Sequence, residues 1–246
     1  MHTRWMDCLW SPVVENFAGA VGFLPEKLMQ PFAWKKPRRI RVSDVFAARE
    51  DQIGSIFGVM AGCPQHVFLL CTQHADAMCR MLTSDGFDSI QSDIINEAWR
   101  LSKVHLPSRR DHWPLANVWL GVTVSNREQL RRLYPLQETP AALRFISFQP
   151  LLEDMGDISE WLPSHACSHY PGQENCANCR YDKRTQIRWA ILGGESGRKA
   201  RPCNIAWIRN IVQQCHAAGV ATWVSQLGSR ACRELPAHQG RPYPWS

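Results

Sequence analysis

No stretch of this chain approaches the run of about eighteen apolar residues that a membrane-spanning helix needs, so no membrane partner is expected. A charged-then-apolar leader is also missing, because Asp7 and Glu15 interrupt the only early apolar stretch, and the expected location is cytoplasmic. Internal repeats and low-complexity tracts are absent. So are the short catalytic signatures Gly-x-Ser-x-Gly, His-Glu-x-x-His and His-x-Glu, and no nucleophile–base pair is legible. Charged residues make up only 20% of the 246, against 45% hydrophobic, so the chain can bury a core and is not disordered by composition. The formal net charge of +6 is compatible with a nucleic-acid or acidic-protein partner.

What is present is a rhythm of short apolar runs alternating with helical stretches. Strands are expected at Arg39–Ser43, His66–Cys71, Asn117–Val124, Leu143–Phe148, Trp189–Gly194 and Val220–Val224. Between them, helices are read at Arg49–Met60, His74–Leu82, Arg127–Tyr134 with Asn126 as its cap, and Ala206–Ala218 ended by Gly219. Six near-continuous apolar strands in this rhythm imply mostly parallel pairing under a cover of helices, in one α/β domain spanning 1–246. Periodicity leaves open a partial (β/α) barrel or an open doubly wound sheet; in both, the site belongs at the carboxyl ends of the strands. Two segments break the rhythm and are read as insertions: 83–116, with a polar helix expected at Ser89–Ser102, and 155–187, which carries a cysteine cluster.

Ten cysteines without a secretory leader point to thiols or metal ligands rather than disulfides. Cys8, Cys63, Cys71, Cys79, Cys203, Cys215 and Cys232 stand apart and read as small buried apolar residues. Cys167, Cys176 and Cys179 are close together, with His165 and His169 alongside. A Cys-x-x-Cys turn lets two thiolates converge, and a third with His169 would close a tetrahedral zinc shell in a segment with little apolar side chain to fold around. Incidental thiols, a redox pair and an iron–sulfur cluster are the competing readings. Two further features are weaker. Gly193-Gly194-Glu195-Ser196-Gly197 is a glycine-rich turn after a strand, whose amides could face an anion; its Glu195 either faces a ligand or pairs with Arg198 or Arg201. Lys35, Lys36, Arg38, Arg39 and Arg41 form a basic run, read as a solvated approach to the first strand in preference to a phosphate-contacting patch that Arg109, Arg110, Arg127, Arg131 and Arg132 would extend.

Block by block, most of the chain resembles the phage and mobile-element proteins with a three-cysteine motif, a family similar to radical S-adenosylmethionine enzymes. WMDCLWSPV (Trp5–Val13) looks like the family's opening, WKKPRRIRVSDVF (Trp34–Phe46) like its first-strand region, and FGVMAGCPQHVFLLCTQHADAM (Phe57–Met78) like the next helix and strand. WPLANVWLGVTV, ETPAALRFISFQPLL and WAILGGESGRKARP follow in the family's order, and AWIRNIVQQCHAAGV with Gln226-Leu227-Gly228 resembles its end. The resemblance implies a partial (β/α) barrel.

It also marks what has gone. After Val13 the family places three cysteines that hold a [4Fe–4S] cluster; here Val14–Lys27 contains none, and Cys8 is the only cysteine before Cys63. Gln73, His74, Ser125, Gln149, Ser225 and Leu227 stand where the family tends to have other residues, most of them charged, while GGESG survives. Reductive cleavage of S-adenosylmethionine needs that cluster to deliver an electron and chelate the amino acid. The expectation is therefore a radical-SAM-like pseudoenzyme without cluster or S-adenosylmethionine. It would act by binding a protein or ribonucleoprotein partner, for example inhibiting a host defence complex, with nucleic acid as a further candidate. The alternative is an active enzyme modifying nucleic acid or a small molecule with a cluster on Cys167, Cys176 and Cys179.

Overall fold

The computed structural model describes residues 7–15, 21–42, 44–83, 113–163 and 187–232, together with positions 96 and 100. Seven strands form one all-parallel sheet: β1 (Cys8–Trp10), β4 (Arg39–Val42), β5 (Val67–Thr72), β6 (Val118–Thr123), β7 (Leu143–Phe148), β8 (Ile187–Gly193) and β10 (Ala221–Gln226). A hairpin of β2 (Val13–Glu15) and β3 (Val21–Phe23) lies outside it, as does a short pair of β9 (Cys203–Asn204) and β11 (Ala231–Cys232). The spatial order of the seven follows the chain without a reversal. A doubly wound sheet reverses at a switch point, so this order decides between the two expected architectures. The fold is α/β, its sheet curled into a half-barrel with interleaved helices.

The helices are α1 (Pro25–Leu28), α2 (Gln30–Ala33), α3 (Glu50–Gly62), α4 (Ala75–Thr83), α5 (Leu133–Glu138) and α6 (Ile205–Ala217), with 3₁₀ turns at Arg127–Arg132 and Ser159–Trp161. Their ends follow local chemistry. The Asn126 side chain accepts from the Gln129 amide at 3.0 Å, as the expected cap should, though the turn it starts is 3₁₀ before α5 begins. Asn204 accepts from the Ala206 amide at 2.9 Å at the start of α6, and Gly219, at φ 68°, lets the chain leave it. Five of the six expected strands and the helices expected at 49–60, 74–82 and 206–218 stand within three residues of where the pattern put them. The helix expected at 127–134 is a 3₁₀ turn that runs on as α5 to Glu138, and at the first strand Arg39–Val42 is strand while residue 43 is outside the described residues.

The seventh strand, β1, corrects the count of six. Its three residues carry no alternation to read, and it is held by parallel pairing to β4, Leu9 opposite Arg41. The helix expected at Ser89–Ser102 falls outside the described residues apart from positions 96 and 100. Of the segment read as a second insertion, Met155, Ile158, Trp161 and Leu162 are buried in the main core.

Parallel strands alternate their side chains across the sheet. Ile40, Phe68, Leu70, Leu120, Val122, Ile146, Phe148 and Leu192 enter the large core beneath the helices. Arg144 is buried on that side as well. Its guanidinium donates to the carbonyls of Leu136 (2.9 Å) and Thr139, where a helix end welcomes a cation.

Candidate functional site

The concave face is built from the other residue of each pair. Leu69, Phe145 and Ile191 form a small separate cluster, with Val67, Cys71, Trp119, Leu143, Trp189 and Trp223 packed against it. Trp119 and Trp189 meet edge to face at 6.1 Å, and Phe145 lies 5.7 Å from Trp189. A Cβ at Gly121 would stand 2.5 Å from the Phe145 ring, so this glycine is the slot the ring occupies. The inside of the half-barrel is therefore plugged by side chains, as small barrel interiors are.

Toward the carboxyl ends the face turns polar. Thr123 and Ser147 are opposite each other on β6 and β7, and the Cys71 thiol sits 3.3 Å from the Thr123 hydroxyl. Burial pushes the Cys71 thiol up, against the smaller opposing effects of Thr123, Arg41 and Ser147. It is a protonated thiol and a poor nucleophile. Arg41 is half-buried on β4, opposite Leu69 of this face. Arg132 reaches back from the turn after β6 to donate to the Thr123 carbonyl at 2.6 Å. Burial, then the neighbouring Arg131, holds its guanidinium below the usual value. Asp44, just past β4, accepts from the Thr72 hydroxyl at 2.6 Å and the Gln73 amide at 2.8 Å, with the His74 ring 3.8 Å away. Farther along the rim, Gln149 donates to the Ser225 hydroxyl, which donates to the Leu192 carbonyl at 3.3 Å.

The glycine-rich turn closes the rim beside β10. A Cβ at Gly194 would meet the Leu227 carbonyl oxygen at 2.4 Å, and one at Gly193 would crowd Gln149 and Ser225. These glycines allow two strand ends to touch. Two of the amides are engaged: Gly194 donates to the Gln226 carbonyl at 3.2 Å and Gly197 to the Ser229 hydroxyl at 3.0 Å. Ser196 donates to the Gln226 side chain at 2.6 Å. Of the two roles left open for Glu195, pairing is observed: Arg201 forks onto it with two bonds of 2.9 Å and adds its own amide at 2.7 Å. That contact holds the Glu195 carboxyl below the usual glutamate range.

The basic run divides. Lys35 and Lys36 are exposed before β4, Arg38 stacks over the Trp34 ring at 5.2 Å, Arg39 meets Asp7 at 3.8 Å, and only Arg41 joins the concave mouth. Arg127 donates to the Asp154 carbonyl, and Arg131 pairs with Glu128 at 3.4 Å. Cys167, His169, Cys176 and Cys179 lie outside the described residues. Among the described residues no group of three His, Cys, Asp or Glu side chains is arranged to hold a metal. Of the seven scattered cysteines, Cys63, Cys203 and Cys215 are buried as expected, their thiols pushed up to about 12, 11 and 12 by burial. Asp44 and the Thr123–Ser147 pair were missed by sequence reasoning. Counting alternate positions back from each strand's end would have flagged the hydroxyl pair.

A family model described as "Protein of unknown function (DUF5131)" matches residues 2–243. No curated protein and no solved structure matches the chain. Among the described residues no helix is long and apolar enough to cross a membrane.

Proposed function

We propose, from the premise that the chain belongs to the DUF5131 family of proteins of unknown function, that it is a catalytically silent half-barrel acting by binding a protein or nucleoprotein partner. One observation carries this reading: among the described residues, Cys71 is the only thiol on the concave face. Cys8, in the block that resembles the radical S-adenosylmethionine opening, packs against the main core instead. Past it, the chain enters the β2–β3 hairpin and α1, and residues 9 to 62 include no cysteine. A site-differentiated cluster needs three converging thiolates, so the residues here do not fit one. The rest of the rim supports the same reading. Among the described residues, the rim carboxylates Asp44 and Glu195 are engaged by neighbours of their own chain, and burial pushes the Cys71 thiol up. Support for a partner of the kind a host-defence inhibitor would bind comes from the resemblance to mobile-element proteins and the net charge of +6.

The test is anaerobic reconstitution with iron and sulfide, followed by addition of S-adenosylmethionine and a reductant. We expect no stoichiometric cluster and no cleavage. Zinc should copurify at about one per chain, held by Cys167, Cys176, Cys179 and His169, and be released in Cys176→Ser. A cluster that cleaves S-adenosylmethionine, on those cysteines or any others, ends the proposal.

A further inference from the structure

Two arginines, Arg41 and Arg132, and one carboxylate that is already engaged, Asp44, stand toward the mouth of the half-barrel. Arg132 is anchored on the Thr123 carbonyl; the Thr123 hydroxyl touches Cys71; and Arg41 stands on the neighbouring strand, two residues short of the level of Cys71. The Arg41 charge acts on the Cys71 thiol and Cys71 acts on Arg132, so both arginines are within electrostatic reach of that thiol. Asp44 is within electrostatic reach of Arg132, but its oxygens accept from Thr72 and Gln73. Among the described residues no hydrogen bond or ion pair engages the guanidinium of half-buried Arg41. Arg132 makes a single bond to a neutral carbonyl. The hydroxyls of Thr123 and Ser147 stand opposite each other on the same face, Thr123 two residues beyond Gly121, which is level with Cys71.

We propose that this mouth is a binding site for a phosphate-ester dianion, clasped by Arg41 and Arg132 with the Thr123 and Ser147 hydroxyls as further donors. The inference rests on reading the mouth as a binding surface and names what it binds. Guanidinium groups suit phosphate because their planar donors match its oxygens two at a time, and partial burial strengthens each charge-assisted bond. A carboxyl-end mouth over a rigid apolar floor is where parallel α/β scaffolds place such ligands. The same chemistry is offered by a free phosphate monoester and by the backbone of a nucleic acid strand, whose diester charges such a pair would also engage.

Binding is read by thermal shift and by intrinsic tryptophan fluorescence, since Trp223 is aligned with Ile191 and, through it, with Ser147. The probes are inorganic phosphate, adenosine monophosphate, adenosine and a short single-stranded oligonucleotide. Phosphate and the monophosphate should stabilise the chain and adenosine should not. Arg41→Gln and Arg132→Gln should each weaken binding about tenfold, whereas Lys35→Gln should leave it unchanged. If either arginine variant fails to fold, Ser147→Ala serves, with a smaller loss. An oligonucleotide that displaces the monophosphate and loses affinity in the same variants assigns the phosphate to a strand; a monophosphate that outcompetes it assigns a free ester. Equal responses from wild type and arginine variants, or an equal loss in Lys35→Gln, overturn the site. Cluster assembly would sink the silent-scaffold reading without changing phosphate affinity, so the two failures stay distinct.

Discussion

Ile40, Phe68, Leu120, Ile146 and Leu192 disappear beneath helices on the convex side of the sheet, while their immediate neighbours Arg41, Leu69, Gly121, Ser147 and Gly193 line the concave side. One set of strands thus carries two chemistries in alternate residues. The convex face is a continuous apolar layer and holds the scaffold together. The concave face has three fully buried apolar residues at its centre and a polar rim above them. A sheet can change everything on one face without disturbing the other, because the period of two separates them. That is how such a sheet can exchange the residues of one face and keep its shape.

The largest expected effect tests the convex half. Phe68 is fully buried, 5.6 Å from Trp10, in the layer that joins β5 to β1. Phe68→Ala should cost about 3–5 kcal/mol of unfolding free energy in urea, since a large ring leaves a cavity that a packed core fills poorly. Ser147→Ala, on the opposite face, should cost less than about 1 kcal/mol. Similar losses from both would mean that the faces share the load and the division is false.

Which parts of this division were legible beforehand follows from the same physics. Strands β5 to β8 announce themselves because burial on both faces makes them near-continuously apolar. β1 does not, being three residues long with Leu9 59% exposed. The sequential order of strands, and hence the curl, depends on pairings that no local pattern encodes. On β4, Arg39 and Arg41 fall on one strand face by simple alternation, and only Arg41 joins the mouth. The grip of Arg132 on Thr123 and the fork of Arg201 on Glu195 are tertiary choices among several nearby arginines. The cysteine cluster, the sharpest local motif, is a proposal that rests on spacing alone.

The next effect tests whether the concave floor is rigid. Gly121→Ala places a methyl where the Phe145 ring now lies, at 2.5 Å, and a β-strand gives the glycine little room to retreat. The ring must swing into the Trp189 contact, at a cost of about 1–3 kcal/mol, by denaturant midpoint. If the floor is a firm platform, the same variant should also weaken phosphate binding. Unchanged stability would show that the floor is loosely filled and that the rim alone holds its geometry.

The smallest effect asks to which half the glycine-rich turn belongs. Glu195 lies at the mouth, but Arg201 holds its carboxyl through two side-chain bonds and an amide, which lowers its folded pKa. A carboxyl with a depressed folded pKa contributes stability above its unfolded value, about 4.3, and loses it as pH falls through the folded one. Both side chains are about a third exposed, at 29% and 35%, so screening limits the contribution to at most about 1 kcal/mol. Glu195→Gln should therefore lower the urea midpoint slightly at pH 7, and the difference from wild type should close as pH drops below about 4. Phosphate affinity should be unchanged, because a carboxylate already clasped by Arg201 has nothing to offer an anion. A variant of wild-type stability that nevertheless lost the ligand would move this turn from the scaffold to the site.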